Sequence, residues 1–380
     1  MPEYGCSGPL WPCALTGAAS CLAGFSGLAV VIHGSSGCYY YPATFLKRNL
    51  YGTFLVESDL VMGGEERLLA VLRALPEGSG RPAIITSCAP EISGEDIRAC
   101  TQEFDPLVVE SPGFCGGAEA GHARAMEALN PAVDPAKSTV NIDGITLMDP
   151  FHRGNLQELE RLLALIGAEA GTVFCRDRYD AVSDAGPLTV SANPDFAGAP
   201  GKTCGGTLGL PATLATFTRL CDGRAEGCGS WDLSPLEDEI REAEERAVYA
   251  CDRFLRRFDP PCALVFGIPG YAVFVAETLA DYLDAEIPFV GTRFGAVSSR
   301  FPSENVTGFD EAAKVIGEHS PDLVLGSSFE RTLAPDAAFI GITPPVRREV
   351  RLRADPLAGI EGTLWLLESV LNACIDRAPR

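Results

Sequence analysis

Residues 13–38 read "CALTGAASCLAGFSGLAVVIHGSSGC", a stretch that begins and ends on cysteine, with an apolar run and a glycine turn between them. The segment "LAVVIHG" has the length and continuous apolarity of a short buried strand, and "GSSG" follows it as a turn. Cys38 therefore falls in the loop at the C-terminal end of a strand, where open α/β sheets keep their ligands. Outward from this stretch the pattern recurs. "PAIITSCAPEISGEDI", "STVNIDGI", "GTVFCRD", "PLTVSANP", "CALVFGIPGYAVFVAETLADYL" and "PDLVLGSSFE" each run apolar and then turn. Strands that alternate with helical patterns predict parallel sheets with helices on both faces, an α/β protein.

At 380 residues the chain exceeds one compact core and suits two or three α/β units. It is 46% apolar and 21% charged, with a mean hydropathy of +0.11, as expected of a globular protein. No apolar stretch reaches the ~18 residues that suggest a membrane span. The N-terminal "MPEYGCSGPLWPC" lacks a basic region followed by an apolar core, so a cytoplasmic location is expected. A formal charge of −21 argues against nonspecific nucleic-acid binding, which needs cations to neutralise phosphates. Fourteen cysteines in such a chain are expected as thiols or metal ligands rather than disulfides.

Two helical patterns set the organisation. "SPLEDEIREAEERAVYACDRFLRRF" opens with Ser234 as an expected N-cap, Pro235 at the first helical position and Glu237 in capping-box register. Its Leu236, Ile240, Ala243, Ala247, Cys251, Phe254 and Phe258 recur every three or four residues, which predicts one buried face. "NLQELERLLALIGA" lies between "DPFHRG" and "GTVFCRD", as a crossover helix between strands should. Breaks near 137 and 258 divide the chain into units 1–136, 137–258 and 259–380. The Gly- and Pro-rich region 194–210 is expected to be a mobile loop.

Nucleotide motifs are incomplete. "GAPGKT" resembles a phosphate cradle, but the first glycine of a P-loop would stand where the chain has Phe196. "GIPGYAVF" lacks the third member of a dinucleotide fingerprint. No C-x-x-C occurs, and the four histidines show no zinc-like spacing. Iron–sulfur ligands, by contrast, can come from separate loops or separate chains. Cys21, Cys100, Cys175, Cys221, Cys251, Cys262 and Cys374 read as small buried hydrophobes. Cys13, Cys38 and Cys88 differ in placement: Cys38 and Cys88 each end a predicted strand, and Cys13 lies in a Pro-Cys turn before an apolar helix.

These residues carry a family resemblance. The stretch 13–38, then "FLVESDLVMGGEERL", "IITSCAPEISGEDI" and "ESPGFCGGAEAGHARAMEAL", resembles the nitrogenase component 1 superfamily. That superfamily includes the nitrogenase molybdenum–iron subunits, dark-operative protochlorophyllide reductase, chlorophyllide reductase and the nickel-sirohydrochlorin a,c-diamide reductive cyclase. The resemblance is dense over 13–130 and thins to a strand-and-glycine pattern beyond 139. It implies three Rossmann-like parallel-sheet domains.

By the resemblance, Cys13, Cys38 and Cys88 match interface cysteines that hold an iron–sulfur cluster, a 4Fe-4S centre or a larger cluster shared between subunits. Three thiolates leave a cubane one ligand short. Cys6 is a possible fourth ligand, although Pro9 and Pro12 restrict that segment. The alternative is a twofold partner, either this chain or a homologous subunit. His33 reads as turn-stabilising, and Glu91, Glu95 and Asp96 as loop and helix N-terminal acids. Nitrogenase's cofactor histidine has no counterpart, since His319 ends a helix and no histidine follows it. This argues against dinitrogen reduction on the iron–molybdenum cofactor.

The implied protein is the catalytic component of a two-component oxidoreductase, supplied with electrons by a separate iron protein-like ATPase. Its leading substrate is a carboxylate-rich tetrapyrrole, nickel-sirohydrochlorin a,c-diamide of coenzyme F-430 synthesis in methanogenesis. Lys202 and Arg293 are the expected substrate-pocket cations, with Arg347 and Arg348 as further loop cations able to pair with carboxylates. Each can equally be a solvated surface charge. The alternatives are a reductase of another substrate and a non-catalytic cofactor-assembly scaffold.

Overall fold

The strand expected at 28–33 forms and is buried along nearly its whole length, because parallel neighbours flank it and helices cover both faces. The computed structural model describes residues 10–46, 50–223, 230–295 and 297–377. In the first sheet β1 (Leu28–His33), β2 (Tyr51–Gly52), β3 (Arg81–Thr86) and β4 (Leu107–Glu110) lie in the order β2-β1-β3-β4. The second holds β5 (Val140–Asp143), β6 (Ala170–Val173), β7 (Leu188–Ser191) and β8 (Lys202–Gly206) in the order β6-β5-β7-β8. The third holds β9 (Cys262–Gly267), β10 (Glu286–Thr292), β11 (Ser303–Asn305), β12 (Leu323–Gly326) and β13 (Ala338–Gly341), ordered β11-β10-β9-β12-β13. Every ladder is parallel, so the chain is three Rossmann-like α/β sheets in series.

Strand order reverses between β1 and β3, between β5 and β7, and between β9 and β12. Each reversal opens a crevice at the C-terminal ends of its strands. One apolar core runs through all three units, joining Leu15 and Phe25 of the first to Phe151, Phe174 and Phe196 of the second and Tyr271 of the third. The C-terminal helix Gly359–Arg377 packs on β13 and also on the helices His152–Leu165, Leu210–Asp222 and Ser234–Leu255.

Two local expectations are corrected. Region 194–210 is not one loop, because Lys202–Gly206 pairs with β7 as the edge strand β8. Ser234 is the first residue of its helix rather than the cap. Leu233 takes the cap position, and the Ser234 N–H donates to Asp232 Oδ1 at 3.0 Å. Among the described residues, no helix is long and apolar enough to cross a membrane.

Candidate functional site

The helix Ala14–Leu22 begins directly after Cys13, which forms an isolated antiparallel bridge with Gly117. The Ala14 N–H donates to the Gly116 carbonyl at 3.0 Å, pinning Cys13 beside the loop that follows β4. Cys38 lies in the helix Ser36–Leu46 after β1, and Cys88 opens the helix Cys88–Ser93 after β3. These are the two strands at the order reversal of the first sheet. Gly34 draws their loops together: a Cβ there would stand 2.3 Å from Ser87 Oγ and 3.3 Å from Cys38 Cβ. Gly113 does the same for the other pair, since a Cβ on it would stand 3.3 Å from Cys88 Sγ and 3.4 Å from Cys13 Cβ. The three expected thiols thus gather at one end of the first sheet, half-buried and outside any disulfide.

Two of these thiols already receive hydrogen bonds. The Gly113 N–H donates to Cys88 Sγ at 3.0 Å, and Ser35 Oγ donates to Cys38 Sγ at 3.5 Å. Donors of this kind tune thiolate-held clusters. The three sulfurs do not close on a single ion; among the described residues, the one His/Cys/Asp/Glu group that does is a different set. Soft donors from separate loops, spread wider than a mononuclear site, with bare Cα atoms at Gly34 and Gly113 between them, suit a polynuclear iron–sulfur group. Cys6 lies outside the described residues.

The acids and His33 brace these loops. His33 Nε2 lies 2.9 Å from Glu95 Oε2 and Nδ1 lies 3.1 Å from Thr53 Oγ1, while Glu95 Oε1 accepts the Gly64 N–H at 3.1 Å. Thr86 Oγ1 donates to Glu91, and Asp96 accepts the Ala99 N–H at 3.1 Å. Partial burial and the charge on Cys13 raise the Tyr41 phenol above its usual pKa, and Arg347 opposes them.

The two expected cations differ in exposure. Arg293 is 1% exposed; it donates to Glu330 Oε1 at 2.7 Å and to the Val306 carbonyl at 2.8 Å. The other Glu330 oxygen accepts the Ser327 N–H and Oγ–H at 2.8 and 2.6 Å, so the guanidinium's charge is matched inside the third unit while its Nε stays without a hydrogen bond. Lys202 is exposed at the start of β8. Neither lines the two clefts described next. A cleft of about 1100 Å³ between the helices Ser234–Leu255 and Pro269–Leu283 is acidic, with Glu237, Glu244, Glu245, Glu277 and Asp281 against Arg241. A second, of about 870 Å³, carries Arg331, Arg347, Arg348 and Arg377 beside Phe329 and Phe339.

A second set of soft donors had no local signal in the sequence. Cys21 and Cys175 are fully buried, as read, yet they meet each other and His122. The Cys175 and Cys21 sulfurs are 3.4 Å apart, and one donor atom from each of the three residues lies within 4.8 Å of the others. His122 packs edge-on against Phe196 at 5.3 Å, and burial pushes its pKa down to about 4 against the opposing Phe196 backbone. Nearby, Asp143 accepts the Gly198 and Ala199 N–H groups at 2.7 and 2.8 Å, and burial raises its pKa. Burial also raises Asp149 and Asp195, each to about 6. Asp149 accepts Tyr271 O–H at 2.5 Å, and Asp195 accepts the Gly270 N–H at 2.7 Å.

Three parallel-sheet domains on one shared core, with three thiols gathered at strand ends and a Cys/His set able to ligate a metal ion, define a three-domain α/β scaffold with candidate metal sites. More particularly, the chain belongs to the nitrogenase component 1 type oxidoreductase family, whose sequence pattern matches residues 13–375. It is 32% identical over 148 residues to the nitrogenase iron-molybdenum cofactor biosynthesis protein NifE of Bradyrhizobium diazoefficiens, a match covering 33% of this chain and 27% of that relative. With NifE of Clostridium pasteurianum it shares 23% identity over 344 residues, covering 80% of this chain and 75% of the relative. With the nitrogenase molybdenum-iron protein beta chain of Methanococcus maripaludis it shares 22%, covering 97% and 94%. The solved structure "Nitrogenase Cp1 at pH 6.5" superposes with a TM-score of 0.80 at 16% identity, covering 97% of this chain and 93% of that one. That likeness establishes the three-domain architecture.

Proposed function

We propose that the chain is the electron-accepting, substrate-reducing component of a two-component nitrogenase-like oxidoreductase, with Cys13, Cys38 and Cys88 as ligands of an iron–sulfur cluster. The observation that carries this reading is the gathering of those thiols at one crevice beside an exposed apolar surface. Val61 is 83% exposed, Met62 84%, Ile92 77% and Phe114 52%. Ile92 shares the helix that Cys88 opens, the helix Glu57–Met62 packs against it, and Phe114 follows Gly113. Exposed apolar clusters of this kind mark docking faces. A second copy or a homologous subunit covering this face would supply the missing ligand and exclude water from the thiols.

When bound there, an iron–sulfur cluster supplies one-electron transfer. The chain's own part is to hold it through three thiolates, to steady their charge with the Gly113 N–H and Ser35 O–H, and to fix the loops through His33 and Glu95. Electrons would come from a separate ATP-driven reductase. Lys202 and Thr203 lie in an edge strand rather than a phosphate cradle, so that motif is not a nucleotide site.

For the substrate we propose a carboxylate-bearing tetrapyrrole, nickel-sirohydrochlorin a,c-diamide. The arginine-lined cleft favours it, because Arg331, Arg347, Arg348 and Arg377 offer forked donors to carboxylates and Phe329 and Phe339 offer apolar faces. Lys202 stands open on the surface for such pairing, whereas Arg293 would first have to leave Glu330. The NifE relatives favour a second reading, a scaffold that holds a cluster precursor without turning over a substrate.

Anaerobic purification tests these readings, with iron and sulfide analysis, mass spectrometry of any bound small molecule, and reduction by an ATP-dependent iron protein. Iron with sulfide, reduction that requires ATP and the partner, and a bound tetrapyrrole are expected. Protein without iron, or reduction by NADH alone, overturns the main reading. A bound metal–sulfur precursor with no substrate turnover selects the scaffold.

A further inference from the structure

We propose that Cys21, His122 and Cys175 form a second, mononuclear metal site that takes one soft divalent cation such as Zn²⁺ or Fe²⁺ and ties the first domain to the second. The thiols are 3.4 Å apart, far beyond a disulfide of about 2.05 Å. That separation is close to the roughly 3.8 Å between two sulfurs that each stand about 2.3 Å from a tetrahedral zinc ion. His122 completes the set: it is 2% exposed, and neither ring nitrogen has a hydrogen bond of ordinary geometry. The Phe196 backbone faces the imidazole outside ordinary hydrogen-bond geometry, so a ring nitrogen stands buried beside two sulfurs and able to serve as a ligand.

Charge and construction agree. Two thiolates and one divalent cation sum to zero, so the filled site buries no net charge, and each thiol releases one proton to solvent as the ion binds. Cys21 lies in the last turn of the helix Ala14–Leu22, and His122 lies on the helix Ala118–Leu129. Two glycines press these helices together. A Cβ on Gly17 would stand 1.8 Å from the Ala118 carbonyl oxygen, and one on Gly121 would stand 1.7 Å from that of Ala14. Cys175 comes from the second domain, in the turn after β6, with φ 57°. A Cβ on Gly24 would stand 2.1 Å from its carbonyl oxygen, so the end of the first helix is seated on that turn. Cys21 follows Cys13 by eight residues, a rise of about 12 Å along a helix, which separates this site from the thiols at the strand ends. Three protein donors leave a fourth position open to water or a small ligand.

Cobalt reads the site independently of the iron–sulfur reading. The full chain carrying Cys13→Ala, Cys38→Ala and Cys88→Ala is stripped with chelator under anaerobic conditions and titrated with Co²⁺ alone. The expected result is one equivalent bound, with a thiolate-to-cobalt charge-transfer band and strong tetrahedral ligand-field bands, both displaced by Zn²⁺. Adding Cys175→Ser or His122→Ala should weaken binding at least tenfold, with circular dichroism confirming that the variant is folded. If a variant does not fold, the titration of the parent chain still decides. The absence of the cobalt bands, bands unchanged in the folded variants, or a Cys21–Cys175 disulfide by intact mass in anaerobic protein overturns the proposal.

Discussion

The backbone N–H of Gly113 donates to the sulfur of Cys88 at 3.0 Å, and the bare Cα of the same glycine brings Cys13 against the other side of the contact. A methyl group at Gly113 would stand 3.3 Å from Cys88 Sγ, closer than the sulfur tolerates without shifting. Gly113→Ala is therefore expected to lower iron and sulfide per chain and to alter the electron paramagnetic resonance signal, with the far-ultraviolet circular dichroism unchanged. Full iron content with an unaltered signal would show that this approach does not matter.

Single substitutions Cys13→Ala, Cys38→Ala and Cys88→Ala test the ligand set one thiol at a time. Each should bleach the visible absorption of anaerobically prepared protein, because a thiolate-held cluster rarely survives loss of a ligand. A variant that keeps full absorption removes its cysteine from the set.

Met62→Asp together with Ile92→Asp places charge on the exposed apolar face beside the thiols. If that face is the subunit interface, burying two unpaired carboxylates opposes association. Sedimentation should then show the parent chain as a dimer, or paired with its homologous subunit, and the variant as a monomer. A parent holoprotein that sediments as a monomer would contradict the interface.

Glu330 is fully buried against Arg293, with both carboxylate oxygens in use. Glu330→Gln leaves a guanidinium in the interior without its counter-charge, which typically costs about 3–5 kcal/mol. The double change Arg293→Met with Glu330→Leu should recover much of that loss. Urea denaturation of the three proteins measures it, and a Glu330→Gln chain as stable as the parent would refute the role assigned to the pair.

Burial lifts Asp149 from 3.8 to about 6, against the lowering effects of Tyr271 O–H, the Phe151 N–H and Arg351. The folded form therefore holds a proton that the unfolded form gives up between those values. Its contribution is complete below the unfolded pKa, falls as pH rises to about 6 and is flat above. The whole swing is on the order of 3 kcal/mol. In Asp149→Asn this part of the slope should vanish, as seen by comparing denaturation of the two proteins at pH 4.5 and pH 7. Equal slopes would mean that Asp149 does not carry it.

Much of the fold was legible in the residues because its signals are local. A run such as "LAVVIHG" is apolar without interruption, so it must be covered on both faces, and the glycine turn after it fixes where the strand ends. That reasoning placed β1, β3, β5, β6, β7, β9 and β12, and it put Cys38 and Cys88 at the two strand ends where the first sheet reverses its order. The strands β2, β4, β8, β10, β11 and β13 escaped it. β8 is "KTCGG", with two exposed residues and two glycines, and it is a strand only because β7 offers it a ladder.

The partners of buried polar groups were decided by packing. Arg293 looks like a loop cation until Glu330 arrives from the helix after β12, and its burial follows from that pairing. Cys21, His122 and Cys175 are separated by 101 and 53 positions in the chain and share no periodic pattern. They meet because Gly17 and Gly121 let two helices touch and because Gly24 seats the first helix on the turn after β6. Periodicity in the sequence reports which face of an element is apolar. Which polar atoms converge beneath that face depends on helix crossings and domain docking, and those are properties of the assembled chain.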